Sequence, residues 1–179
     1  LTFFPWPDLP PAREGTGRVM TVAFAVHPES LDYWQQRLTR YGVAFEPTTS
    51  PFGEAVLRFQ DPHGLRLALV ATEQERPFVP WDDSPVPPAH QLRGFHSVQL
   101  WERELVPTEQ VLTEHLGFRR LAAEGVWYRY AVEEGAPGQL VDVQVLPGAM
   151  SGRDGRGGVH HVAWRTRDVA EEDGLRRAL

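Results

Sequence analysis

The chain has 179 residues, 41% of them hydrophobic and 23% charged, with a net charge of −6 and no cysteine. That length allows a sizeable core, the missing cysteine excludes disulfides, thiolate metal sites and a cysteine nucleophile, and the acidic balance predicts no nucleic-acid or anionic-lipid partner. All 18 basic residues are arginine, which removes lysine chemistry such as a Schiff base; no apolar run reaches bilayer length, which predicts no membrane partner, and the lack of cysteine fits a cytoplasmic location.

In chain order, residues 1–17 ("LTFFPWPDLPPAREGTG") read as an apolar strand with a proline-rich exit. A strand of alternating pattern is predicted over Val19–Val26. Pro28 and Glu29 then open a helix whose Leu31, Trp34, Leu38 and Tyr41 share one face and whose stop is Gly42. Short strands follow around Val43–Glu46, Ala55–Gln60 and Leu65–Val70, the last two joined by the turn "DPHG" at Asp61–Gly64. The unit is βαβββ.

Residues 72–92 form a proline-rich acidic linker. The same order then returns: "FHSVQLW" as strand, "PTEQVLTEHLG" as helix, and "FRRLAAE", "VWYRYAV" and "LVDVQVLP" as three strands. It begins again with "VHHVAWRT" as strand and "DVAEEDGLRRAL" as helix, opened by a capping-box-like Asp168 and Glu171. Such recurrence marks a repeat architecture. The expected organisation is the tail of a first unit at 1–17, a second unit at 18–71, the linker at 72–92, a third unit at 93–148 and the start of a fourth at 149–179. Because the chain opens on Leu1 and closes inside a helical pattern, the first and last units read as incomplete. Uncovered sheet edges at such ends predict dimerisation, swapping or aggregation.

Two adjacent histidines, His160 and His161, stand at the start of the last predicted strand, and His96 stands at the start of the third unit's first strand. A lone histidine on an alternating strand is usually a hydrogen-bonded core residue, and for His96 the core and ligand readings stand level. Asp142 and Gln144 share one face of a later strand.

"FQDPHGLRLALV", "RGFHSVQLW", "LTEHLGF" and "GGVHHVAWRTRD", in that order, resemble the vicinal oxygen chelate superfamily, which includes glyoxalases, bleomycin-resistance proteins and extradiol dioxygenases. The four-unit layout, "LTFFPWPD" and the double histidine are most similar to ring-cleaving dioxygenases of the hydroquinone type. The resemblance implies an α+β fold of repeated βαβββ units forming curved mixed sheets, with a divalent metal in the cup. It implies two histidines and one glutamate as ligands, a set with open coordination positions. The family's first-strand ligand stands seven residues before an acidic helix start. That register falls on His161 ahead of Asp168, and leaves His160 on the other face or beside the site, where it could move a substrate proton. His160 is the alternative ligand. The same register falls on His96 in the third unit, but on Thr21 in the second, where the closing glutamate is replaced by Ala68.

Two layouts follow from the resemblance. In one, the third and fourth units share the metal through His96 and His161. In the other, which the double histidine and "LTFFPWPD" favour, the first and fourth units do, and His96 lies near a core or pocket. Either layout takes its glutamate from beyond Leu179, so residues 1–179 alone are expected to be inactive. The implied cofactor is Fe(II), with Mn(II) second, and the implied partners are a catechol- or hydroquinone-like aromatic, O₂ and a second copy of the chain in a homo-oligomer. Trp127, Tyr128 and Trp164 are candidate pocket aromatics. A glyoxalase-type isomerase using Ni or Zn, and a metal-free drug-binding protein, are the alternatives.

Overall fold

β1 (Arg18–Val26) lies at the middle of the molecule because both of its neighbours are central strands. The computed structural model describes residues 2–74 and 77–178. After β1 come a tight turn at Pro28–Ser30, α1 (Leu31–Arg40), β2 (Phe45–Thr49), β3 (Ala55–Gln60) and β4 (Arg66–Ala71). The second set is β5 (Phe95–Glu102), α2 (Val106–Gln110), β6 (Arg119–Glu124), β7 (Trp127–Ala131) and β8 (Leu140–Val145), and α3 (Val169–Ala178) ends the chain. The eight strands form one mixed sheet in the order β2-β3-β4-β1-β5-β8-β7-β6. β1 pairs parallel with β4, β5 pairs parallel with β8, and β1 meets β5 antiparallel at the centre. The two predicted βαβββ units are thus placed head to tail about one seam.

Alternation assigns the two faces of the sheet. On one face, Leu38 of α1 packs with Val26, Leu57 and Leu69, joined by Leu31 and Trp34. On the same side of the second set, Leu112 and Phe118 pack with Tyr130, Val141 and Val143. The helix containing Leu112 begins at Val106, with Pro107 in its first turn, and widens over Val111–His115, where Leu116 N–H donates to the Val111 carbonyl at 3.1 Å. The opposite face carries small side chains at the seam, including Ala23 and Ala68, both about 1% exposed or less. Small residues there leave the sheet concave.

Two segments differ from expectation. Residues 2–17 form no strand beyond single bridges, Pro11 with Arg156, Arg13 with Arg153 and Thr16 with Ser151. Residues 159–166, predicted as a strand, make no ladder pairing. The facing segment "FFPWPDLPP" explains both, since its prolines lack the N–H donors a ladder requires. α3 does start as predicted: Glu171 N–H donates to Asp168 Oδ1 at 2.9 Å, and the Glu171 carboxylate accepts from the Arg167 amide at 2.6 Å.

The linker is better anchored than its composition suggests, although its Glu75 and Arg76 lie outside the described residues. Gln91, 9% exposed, accepts from Trp81 N–H at 2.8 Å and donates to the Trp81 and Val86 carbonyls. Trp34 Nε1 of α1 donates to the His90 carbonyl at 2.9 Å.

Gly157 docks the segment after β8 against the "DPHG" turn. Its φ is +76°, and an added Cβ would run into the His63 carbonyl. Gly157→Ala is therefore expected to cost about 1–3 kcal/mol through strain and displaced backbone, read as a lower denaturant midpoint with an unchanged slope.

Candidate functional site

The histidine pair is built where the two ends of the described chain meet. His160 Nδ1 lies 2.8 Å from His161 Nδ1. Phe4 stacks on Trp6 with centroids 5.0 Å apart, and His160 sits 5.4 Å from Phe4 and 5.3 Å, edge-on, from Trp6. His161 is 6.1 Å from Phe4. Both histidines are exposed. With their Nδ1 atoms facing each other, the Nε2 atoms have no hydrogen-bond partner among the described residues. Imidazole nitrogens left without a partner in this way suit a divalent metal. Among the described residues no cluster of three or more His, Cys, Asp or Glu side chains is in place to complete a coordination sphere. The described residues thus bring two imidazole donors and an aromatic wall to one spot, and no third His, Cys, Asp or Glu to complete a ligand set.

His96 sits elsewhere, 2% exposed, inside a closed ring of polar groups on the concave face. Its Nε2 lies 3.1 Å from Glu54 Oε1 and its Nδ1 3.2 Å from Ser97 Oγ. Ser97 Oγ donates to Asp142 Oδ2 at 3.4 Å. Arg129 closes the ring, donating to Asp142 at 2.7 and 2.9 Å and to Glu54 at 2.7 and 2.9 Å. Phe52 lies 4.3 Å from the Arg129 guanidinium carbon, and Ser50 Oγ donates to Glu54 at 2.7 Å. Glu54 comes from the β2–β3 hairpin of one unit and reaches β5 and β7 of the other, so the ring ties the units together across the seam.

The electrostatics follow from this geometry. Burial alone would raise the Glu54 carboxyl, but hydrogen bonds from His96 and Arg129 outweigh it and hold the group well below the ordinary carboxylate range. Burial would lower the Arg129 pKa; bonds to Asp142 and Glu54 more than offset it, and the guanidinium is held charged. Such a ring has the saturation that buried charges need.

Below the ring the cup opens into a cavity of about 780 Å³, lined by residues of both units. Thr21 and Gln99 are cross-strand partners on its floor, and Trp101 and Gln144 are partners beside them. Trp127 lines this cavity, which no histidine lines, rather than the surroundings of the histidine pair. Tyr128 points to the other face, beneath Arg120, and Trp164 packs edge-on against Phe118 at 5.2 Å. The three candidate aromatics do not converge.

Sequence reasoning singled out Asp142 and Gln144 but missed Glu54 and Arg129. The signal for Arg129 was present. In "WYRYA" it occupies the inward register with Trp127, and an inward arginine requires a carboxylate. Glu54 carried none, because a hairpin loop's reach is set only by the twist of the sheet.

No family model matches the chain. Curated relatives do. MhqO of Bacillus subtilis, provisionally named a ring-cleaving dioxygenase, is 32% identical over 175 residues, covering 98% of this chain and 54% of the relative. The chlorohydroquinone/hydroquinone 1,2-dioxygenase of Sphingobium indicum is 27% identical over 172 residues, covering 92% and 52%. A crystal structure from Bacillus subtilis, provisionally named a dioxygenase, superposes with a TM-score of 0.88 at 30% identity, covering 98% of this chain and 56% of that one. A glyoxalase I variant from Zea mays shares the fold, with a TM-score of 0.62 at 16% identity over 93% of this chain and 56% of that one. The chain spans about half the length of the curated relatives it matches.

Proposed function

The chain belongs to the vicinal oxygen chelate superfamily, and on that premise we propose that it serves a metal-dependent, extradiol-type dioxygenase that opens a hydroquinone- or catechol-like ring. The observation that carries this reading is the exposed pair His160 and His161, whose Nε2 atoms have no partner among the described residues, against the aromatic wall of Phe4 and Trp6. His161 would hold the metal, and His160 would take the proton from the substrate hydroxyl. When bound, a divalent metal supplies the Lewis acidity and electron transfer that dioxygen chemistry needs. Phe4 and Trp6 offer flat apolar surface against which an aromatic ring can be oriented, while His160 remains within contact of both. The ring bond that breaks gains one oxygen atom at each carbon, so no external reductant is consumed.

Of the two layouts, the arrangement favours the one that leaves His96 outside the metal site, since both its nitrogens already face ring partners. A role for His96 as ligand would require Glu54 to release it. Fe(II), with Mn(II) second, a homodimeric assembly and a cytoplasmic location belong to the same reading.

An oxygen electrode tests it. Hydroquinone is expected to drive stoichiometric oxygen consumption by an iron-loaded protein in which this chain is joined to the glutamate ligand the reading requires, and not by residues 1–179 alone; a chelator is expected to stop it. Metal-dependent turnover of a hemithioacetal without oxygen uptake would replace this reading with an isomerase.

A further inference from the structure

We infer that the cup between the two complete units is a second ligand site, independent of the histidine pair, which takes a flat aromatic compound bearing oxygen substituents and needs no metal. The two ends of the cup differ in one respect. Around Arg129 every charge is matched. In the cavity below, the side chains of Thr21, Arg58, Gln99 and Gln144 have no hydrogen-bond or ion-pair partner among the described residues. Thr21 is only 8% exposed and lies on the cavity floor. Polar groups that converge on a concave surface without partners of their own are what orient a ligand.

The walls select a flat one. Trp101 and Trp127 both line the cavity. Trp101 is held from one side by Arg66, whose guanidinium carbon is 5.1 Å from the indole and which is itself clamped by Glu14. An indole held in this way favours stacking on an aromatic ring. Arg58 is the lining cation without an ion pair among the described residues; its cross-strand neighbour Glu46 makes none with it. Asp61, the other carboxylate beside Glu46, is occupied by the amides of His63 and Leu65. No imidazole lines the cavity, so the donor set suits oxygen atoms of a ligand and not a transition metal. At about 780 Å³ the space exceeds one ring, which points to fused rings or a substituted ring.

Calorimetric titration of the chelator-treated full chain with 1-hydroxy-2-naphthoate tests this. Saturable binding is expected, weakened at least about tenfold by Gln99→Leu with Gln144→Leu and by Trp127→Ala, and at least about tenfold weaker for naphthalene itself. Arg58→Gln, at a half-exposed position, gives the same direction if a tryptophan variant fails to fold. His161→Ala is expected to leave this binding unchanged, so failure of the ring-cleavage reading leaves it standing. Absence of saturable binding overturns the inference. So does binding that His161→Ala abolishes while the cup variants retain it.

Discussion

His161→Ala is expected to remove both bound metal and hydroquinone-dependent oxygen uptake, whereas His160→Ala keeps the metal and lowers turnover by about 10²–10⁴-fold. The two rings are adjacent in sequence and their Nδ1 atoms are 2.8 Å apart, so the variants differ little in what they do to the surrounding fold. Both are exposed, which makes a stability effect small. The contrast therefore reads roles: a lost donor empties the site, while a lost proton acceptor slows the chemistry at full occupancy. Metal analysis beside oxygen uptake separates them. Equal metal loss in both variants would make the pair a joint chelate, and full activity in His161→Ala would place the centre elsewhere.

Arg129→Met is expected to destabilise the protein by about 3–5 kcal/mol, because it leaves Asp142 and Glu54 without their counter-ion. Asp142 is 2% exposed, and Glu54 reaches the ring from the other unit, so neither carboxylate regains its lost solvation cheaply. The triple variant Arg129→Met, Glu54→Leu, Asp142→Leu is expected to recover a large part of that loss, since an apolar replacement leaves no buried charge. Denaturant unfolding of both variants measures the difference. The same ring makes stability depend on acid. Glu54 has a folded-state pKa held below its unfolded one, so its contribution is complete above the ordinary carboxylate value of about 4.3 and declines as pH falls below it. Glu54→Gln is expected to flatten that acid limb, and a limb as steep as that of the unsubstituted chain would assign the acid sensitivity to other carboxylates.

Legibility in the sequence followed the range of the interactions involved. β3 was predicted at its observed bounds, Ala55–Gln60, and β1 and β4 within a residue at each end, because alternation and turn chemistry act over a few neighbours. Asp61–Gly64 forms the expected turn, with Asp61 Oδ1 accepting from His63 and Leu65 amides at 2.8 and 2.9 Å. "VHHVAWRT" has the same alternation and is not a strand. A strand also needs a partner with free donors, and the segment facing it is rich in proline.

The sequence by itself determined the repeated unit and the faces of its strands, since each depends on local periodicity, while the register that points to His161 is what the family resemblance implies. Only the tertiary structure decided that both units share one sheet about the β1·β5 seam, that His96 is taken up by Glu54, and that Phe4 and Trp6 stand against His160. Those contacts join residues tens of positions apart or more. Their formation depends on sheet twist, hairpin reach and the satisfaction of buried charge, none of which is written in the neighbours of any one residue.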